Sequence, residues 1–225
     1  MSNIESRIMK GKMYEIDLKL AHKLMDYIIS MEMEELQDKE FYTEAIYNGQ
    51  YNSGLLVDDL FSMSYGFDGY SYLGDGASKI QASLCVPKIY KNTTDFQDDI
   101  YWFLCKQYNF DLFNWGMKYC FEFEQSVILF DILHELGHLK QFMHEMNKYG
   151  YYKSYKDDEE DMKKLRFMDE EEAFINYRKL NIENYADKSS IEFLKKYGDT
   201  LVQFVNRGLL IETNDITEEE LFYNF

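Results

Sequence analysis

The amino-acid sequence predicts an α+β fold that is mainly helical and has a small, mostly antiparallel sheet. Three observations support this prediction. Apolar residues recur at three- and four-residue steps over long stretches, as they do in amphipathic helices. The chain has a single proline, which favours long helices. Between residues 51 and 90, turn pairs at Asp68-Gly69 and Asp75-Gly76 separate short segments rich in Tyr, Leu, Val and Ile, a pattern typical of strands joined by tight turns.

Length and composition bound the organisation of the chain. With 225 residues and 46% apolar content, it is long enough and apolar enough to form one domain with a buried core. We therefore expect a single domain over residues 1–225, with a helical N-terminal part at about 1–48, the small sheet at about 51–90 and a second helical part at about 95–225.

Local patterns in the first half predict one helical region and one strand. The helical periodicity from Tyr14 to about Ala45 indicates an amphipathic helix or a helix pair. The segment KIQASLCVPKIY, residues 79–90, has the composition of a strand, and Pro87 indicates an edge or an end of that strand.

The second half is predicted to begin with two helices. A short helix covers Asp95–Gln107 and is followed by an aromatic connector, YNFDLFNWGMKY. The longest apolar stretch, from about Phe121 to Met146, forms the next helix, with Gly150 placed to end it.

A further long helix is predicted towards the C-terminal end. Asp169 and Glu172 have the spacing of a capping box, which would open a helix that runs to Lys196 and stops at Gly198. One more short helix, capped at Thr217, is predicted after it.

Net charge and cysteine content argue against several classes of protein. A formal net charge of −17 opposes direct binding to nucleic acid, because the phosphate backbone would be repelled. The charge favours basic partners, although we favour a solvated acidic surface without a dedicated partner. Three cysteines without CxxC spacing indicate free thiols in a reducing compartment. Since no apolar run is long enough to cross a membrane and no signal peptide is recognisable, we expect a cytoplasmic protein with no membrane contact; its oligomeric state is not predicted.

The segment DILHELGHL, residues 131–139, predicts a metal site. Residues four apart lie on the same face of a helix, so His134 and His138 would point their rings at a common spot and could bind Zn²⁺. Glu135 would border the metal, where a carboxylate can take a proton from a zinc-bound water and deliver it to a leaving amine. Gly137 costs roughly 1 kcal/mol relative to alanine inside a helix, which indicates a packing reason for it. The alternative is a helix with two incidental histidines, which the rarity of this pattern in a chain with four histidines disfavours.

A catalytic zinc site needs a third protein ligand. The other two histidines are poor candidates. His144 would face away from His138 on the same helix, and His22 lies on a different helix without ligand-like neighbours. No cysteine has a suitable context, so we expect a carboxylate.

The segment ENYAD, residues 183–187, offers that carboxylate. Glu183 and Asp187 are one helical turn apart, with the small Ala186 between them. If this helix packs closely on the HELGH helix, Glu183 can complete the metal sphere and Asp187 can hydrogen-bond a ligand histidine. Spacing alone leaves an ordinary amphipathic helix with solvent-facing acids as an alternative, and Glu170 is a rival third ligand that we favour less.

HELGH followed downstream by ENYAD resembles the paired signature of gluzincin-type zinc metallopeptidases, HExxH on one helix and ExxAD on a second. The chain is most similar in this respect to the ImmA/IrrE-like metallopeptidases of bacteria and their phages. The resemblance covers about a quarter of the chain and implies a zincin-like fold. It implies that His134, His138 and Glu183 are zinc ligands, that Glu135 is the general base and that Asp187 supports a ligand from behind.

We therefore predict a zinc-dependent metalloendopeptidase that cleaves an intracellular protein or peptide, with a basic protein favoured by the charge. Tyr177 and Tyr185 are candidates for stabilising the oxyanion. Residues 79–90 are expected to line the cleft, because zincin substrates commonly add as a strand to a sheet edge. Two alternatives stay open: an acidic regulatory or protein-interaction module with a non-catalytic zinc site, and a metal-dependent hydrolase of a substrate other than a peptide.

Overall fold

The computed structural model describes residues 12–33, 40–47, 61–67, 79–91, 94–149, 163 and 175–213. Within these ranges helices and strands are mixed, which confirms the α+β class. The elements in chain order are β1 (Met13–Ile16), α1 (Leu18–Glu32), β2 (Glu40–Tyr47), β3 (Ser62–Phe67), β4 (Lys79–Val86), β5 (Ile89–Lys91), α2 (Thr94–Tyr108), α3 (Leu112–Lys118), α4 (Phe123–Tyr149), α5 (Asn181–Asn206) and β6 (Leu210–Thr213).

The described strands form two three-stranded sheets rather than the one sheet predicted from residues 51–90. In the first sheet, β1 lies between β5 and β6 and is antiparallel to both. In the second, β4 lies between β2 and β3, parallel to β2 and antiparallel to β3. Only the β2–β4 pairing is parallel among these strands, so the prediction of mostly antiparallel pairing is confirmed.

The amphipathic helix or helix pair predicted from Tyr14 to about Ala45, in the N-terminal part at about 1–48, is confirmed only for α1. The prediction is wrong for β1 and β2, which are strands. α1 begins after Asp17, whose carboxylate accepts a hydrogen bond of 2.8 Å from the backbone N–H of Leu20. β2 is a strand because β4 supplies a hydrogen-bonding partner along its whole length, a tertiary contact that overrides local periodicity.

Residues 79–90 form β4 and the start of β5, and Pro87 follows the end of β4, as predicted. β2 and β3 occupy both edges of β4, so of the two alternatives predicted from Pro87, an edge or an end of the strand, the end is confirmed. Among the described strands, β3 pairs with β4 alone and leaves its second edge open. The turn pairs at Asp68-Gly69 and Asp75-Gly76 lie outside the described residues.

In the second half, α2 and α4 confirm the predicted helices at 95–107 and 121–146. The aromatic connector between them was not predicted to be helical but contains α3. This short helix is capped by Asp111, whose carboxylate accepts a hydrogen bond of 2.8 Å from the backbone N–H of Asn114. Gly150 lies outside the described residues, directly after the last residue of α4.

The helix predicted from Asp169 to Lys196 is interrupted. Residues 175–177 are helical, the chain leaves the helix at 178–180, and α5 then begins. The prediction that Gly198 stops this helix is wrong, because α5 continues beyond it after a local distortion at Tyr197 (φ −112°, ψ 15°). The strand β6 was not predicted. The residues of the predicted capping box and Thr217 lie outside the described residues.

The centre of the fold is the contact between α4 and α5, which pack along each other. α4 also contacts α1, α3 and the strands β3 and β4. The apolar side chains of α4 are consequently buried on several sides. This burial agrees with the apolar sequence VILFDIL before the two histidines. The fully buried residues of the two helices include Val127, Ile128, Phe130, Leu133, Leu136, Leu194 and Leu201. Within the described ranges, every helix is too short or too polar to cross a bilayer.

Gly198 is required inside α5 because the ring of Tyr119 packs on it, and a Cβ atom at this position would overlap that ring. We expect Gly198→Ala to lower the free energy of unfolding by about 1–3 kcal/mol through overpacking. This loss should appear in denaturant unfolding although alanine has the higher helix propensity. In a Tyr119→Ala background the same substitution should be neutral or stabilising; an equal loss in both backgrounds would contradict the proposed contact.

Candidate metal site

Close contact between α4 and α5 brings the two sequence motifs together. A Cβ atom at Gly137 would lie 2.8 Å from both the Cα and the carbonyl oxygen of Ala186. This confirms that Gly137 has a packing reason and that Ala186 permits the approach. As a result, the HELGH motif on α4 faces the ENYAD motif on α5.

The two histidines of α4 point at one another as expected from their spacing. His134 Nε2 lies 3.0 Å from His138 Nε2, and the two rings are nearly perpendicular, at 86°. His134 is buried and His138 is slightly more open, with 7% and 12% of their side chains exposed. Solvent can reach the pair from the side of His138, whose ring is the more exposed of the two.

Glu183 lies against both ring nitrogens. Its Oε2 is 3.2 Å from His134 Nε2, and its Oε1 is 3.6 Å from His138 Nε2. The residue is only 3% exposed, so the interpretation of an ordinary helix with a solvent-facing acid at this position is wrong.

These atoms fit a tetrahedral metal ion. Metal–ligand bonds of about 2.0–2.2 Å at tetrahedral angles place neighbouring ligand atoms roughly 3.3 Å apart. The separations are distributed around that value: 3.0 Å between the two histidine nitrogens, 3.2 Å from His134 to Glu183 Oε2 and 3.6 Å from His138 to Glu183 Oε1. Two imidazoles and a carboxylate are also a ligand set that Zn²⁺ accepts in catalytic sites.

A second set of three residues can also hold a metal ion. Ligand atoms of His134, Glu135 and His138 all lie within 4.8 Å of one another. We favour the set with Glu183, because its separations of 3.0–3.6 Å match those of tetrahedral ligands. Glu135 would then stay beside the ion as a free carboxylate.

Asp187 lies behind His134 and is fully buried. Its Oδ1 is 3.0 Å from His134 Nδ1, and its Oδ2 accepts a hydrogen bond of 3.3 Å from the hydroxyl of Tyr108. The imidazole is not aligned for a regular hydrogen bond at Nδ1, so the pairing rests on the short distance. A carboxylate at this place fixes the ring and leaves Nε2 directed at the site.

Arg178 is a member of the site that the sequence did not predict. It is 7% exposed; its Nη2 donates to Asp187 Oδ1, and its Nη1 donates across 3.5 Å to Glu183 Oε2. The side chain reaches both acids from the interruption of the helix at 178–180, which no sequence pattern predicted.

Charge pairing governs protonation of the metal-free site. Burial and Arg178 oppose a proton on His134, but the contacts with Asp187 and Glu183 outweigh them and raise its pKa to about 9. Burial and the neighbouring His134 lower the pKa of His138 to about 4. Burial opposes ionisation of Glu183, yet its contact with His134 lowers its pKa to about 2. In the metal-free site, His134 therefore carries a proton, Glu183 is ionised and His138 is neutral.

Glu135 is held beside this group in a different environment. Burial, with a contribution from the charge of Glu183, raises its pKa to about 7. The charges of His134 and Arg178 and a hydrogen bond from the backbone of Met63 in β3 oppose this shift. Burial likewise raises the pKa of Asp131, one turn earlier on α4, to about 7. A carboxylate with a pKa near neutrality can accept a proton and release it again.

Of the remaining candidate residues, Tyr177 lies in the site, and His144 and His22 lie outside it. Tyr177 hydrogen-bonds to Glu183, and burial together with the charge of Glu183 raises its pKa. His144 is exposed, and His22 Nε2 is paired with the hydroxyl of Thr43 at 2.8 Å, so both are outside the site. Glu170 lies outside the described residues.

Comparisons of the chain with protein-family models, with curated proteins and with solved structures give no significant match. The resemblance to gluzincin-type metallopeptidases thus stays a prediction that depends on the two motifs and on the geometry of the residues they contain.

Gly137→Ala tests the close approach of α4 and α5. The added methyl group would meet the backbone of Ala186, which cannot move without shifting α5. We expect a loss of about 1–3 kcal/mol in the free energy of unfolding, measured by denaturant titration. A variant as stable as the wild type would show that the helices are further apart than described.

The proton on His134 makes the stability of the metal-free protein depend on pH. Folding raises this pKa from 6.5 to about 9, so the protonated ring stabilises the fold fully below pH 6.5, and that stabilisation is lost as the pH rises to 9. Denaturant unfolding in a chelator should therefore give a difference between wild type and His134→Gln that shrinks over this interval. Titrating groups away from His134 cancel in the difference; a constant difference would contradict the assigned proton.

Proposed function

We propose that the chain is a zinc-dependent metalloendopeptidase with a zincin-like fold that cleaves an intracellular protein. The observation that carries the proposal is the convergence of His134 Nε2, His138 Nε2 and the Glu183 carboxylate within 3.0–3.6 Å of one another, with the Glu135 carboxylate beside them. Three protein ligands leave a tetrahedral ion one open position, which is the composition of a catalytic rather than a structural zinc site.

Each residue has a role in this proposal. A zinc ion bound here would polarise the scissile carbonyl group and lower the pKa of water. Glu135 would take a proton from the attacking water and deliver it to the leaving amine, because its carboxylate lies beside the histidine ligand atoms. Asp187 holds the ring of His134 in place, since it lies 3.0 Å from the nitrogen that faces away from His138.

The substrate would approach along the sheet that contacts α4. β3 contacts α4, and the backbone of Met63 in β3 hydrogen-bonds Glu135. Among the described strands, β3 also has an open edge. A peptide that adds to this edge as a further strand would lie next to Glu135, so β3 replaces β4 as the strand that lines the cleft.

Metal analysis of two site variants tests the ligand set. We expect His138→Ala and Glu183→Ala to lose bound zinc after purification in zinc-containing buffer, because each removes one of three ligands. Glu192→Ala is the matched control, since Glu192 is an exposed acid on the same helix as Glu183. Full zinc content in Glu183→Ala would eliminate Glu183 as a ligand and favour the set that includes Glu135.

Glu135→Gln tests the chemistry separately from the metal. We expect this variant to keep its zinc and to cleave a library of quenched fluorescent peptides at least about 100-fold more slowly than the wild type, because glutamine cannot accept the proton. Zinc content and thermal melting serve as controls for folding. A variant that cleaves at the wild-type rate would contradict the role of Glu135.

An acidic regulatory module with a non-catalytic metal site is the second candidate. It is favoured by one observation: Arg178 and His134 both contact Glu183 and Asp187, so the two acids have charge partners within the protein itself. Under this proposal the zinc-loaded wild type would bind a basic protein and leave it intact. Cleavage that is lost in Glu135→Gln would decide for the peptidase.

A further inference from the structure

We propose that Arg178 is a positioning residue for the metal site, which aligns Glu183 and Asp187 so that the ligand atoms are preorganised. This inference rests on the proposed metal function and extends it to a residue that no motif includes. Arg178 would touch neither the ion nor the substrate but would act through the two carboxylates.

The contacts of Arg178 connect both acids of the ENYAD motif. One guanidinium nitrogen donates to Asp187 Oδ1, and the other lies 3.5 Å from Glu183 Oε2. The same Oδ1 lies 3.0 Å from His134 Nδ1, and the same Oε2 lies 3.2 Å from His134 Nε2. The planar guanidinium group thereby restrains the two carboxylates that contact opposite nitrogens of one ligand ring.

The local backbone is arranged for this contact. Residues 178–180 leave the helix between the turn at 175–177 and α5, which lets the Arg178 side chain return along α5 to residues one helical turn apart. Two carboxylates at this spacing repel each other in a buried environment, and a cation between them offsets the repulsion. Arginine suits this place better than lysine because its fork meets two acceptors in fixed directions.

The placement is costly for the fold alone. Arg178 is 7% exposed, and its Nε is buried without a hydrogen-bond partner among the described residues. A buried donor without a partner costs free energy, and buried ion pairs are often less stabilising than apolar residues of the same size. This cost favours a role in the site over a purely structural one.

The charge of Arg178 and its contacts with the two carboxylates would change zinc affinity in opposite directions, which makes the proposal testable. A nearby positive charge repels a divalent cation, so removal of a bystander arginine should tighten zinc binding. Removal of a positioning residue should weaken zinc binding, typically by 10–100-fold for residues that support the ligands.

The experiment compares zinc affinity in wild type, Arg178→Ala, Arg178→Lys and the control Lys179→Ala by competition with a chromophoric chelator. Lys179 is the exposed neighbour of Arg178, so it controls for the loss of one positive charge. We expect affinity 10–100-fold weaker in Arg178→Ala, intermediate in Arg178→Lys and unchanged in Lys179→Ala. The visible absorption of bound Co²⁺ should also change in Arg178→Ala, because displaced ligands alter the coordination geometry.

The outcomes separate this inference from the proposed function. If the wild type binds no zinc, both fail. If the wild type binds zinc and Arg178→Ala binds it equally or more tightly with an unchanged Co²⁺ spectrum, only the role of Arg178 is overturned. If circular dichroism shows that Arg178→Ala does not fold, the zinc affinity of Arg178→Lys tests the proposal instead. Weaker zinc binding by Arg178→Lys, at an unchanged melting temperature in chelator, would support the role of Arg178. Wild-type zinc affinity in Arg178→Lys would overturn it.

Discussion

The distance between α4 and α5 is the constraint on which the rest of the structure depends. A single missing Cβ atom at Gly137 lets the helices approach until the backbone of Ala186 occupies the space a side chain would take. The hydroxyl of Ser190 donates to the carbonyl oxygen of Phe130 across 2.8 Å and joins the same two helices at a neighbouring position. Because short side chains such as carboxylates reach only a few ångströms, the histidines of α4 meet Glu183 and Asp187 only at this helix separation.

The electrostatic arrangement of the site is a consequence of that packing. Asp187, Glu183, His134 and Arg178 are all buried together, and isolated charges in such a place would be strongly destabilising. Each is stabilised by a partner of opposite sign, so the group persists as a unit. Apolar side chains of similar size would hold the helices together at lower cost. Stability alone therefore does not explain why charged side chains lie at the centre of the fold.

The sequence was informative where the structure is local and less so where it depends on distant partners. HELGH and ENYAD each place their residues by helical spacing alone, so the faces of His134, His138, Glu183 and Asp187 could be predicted. The strand β2 has a parallel partner far along the chain, and its local pattern resembled a helix.

Two further features, the role of Gly198 and the place of Arg178, could not be predicted from the sequence. Glycine often ends a helix, but here the missing side chain of Gly198 makes room for the ring of Tyr119, the residue that follows α3. Arg178 reaches the site from a place where the chain leaves the helix, and such a local interruption has no reliable signature in a single sequence.

The sheet β5–β1–β6 has a consequence for how the chain folds. β1 pairs with β6, and 200 positions separate Lys12 and Glu212, whose side chains form an ion pair of 3.0 Å beside that pairing. Contacts of such high sequence separation slow folding, because the entropy of closing the loop is lost before the contact forms. During synthesis, one edge of β1 stays unpaired until almost the whole described chain has left the ribosome. That exposed edge is the place where premature association with another chain would begin.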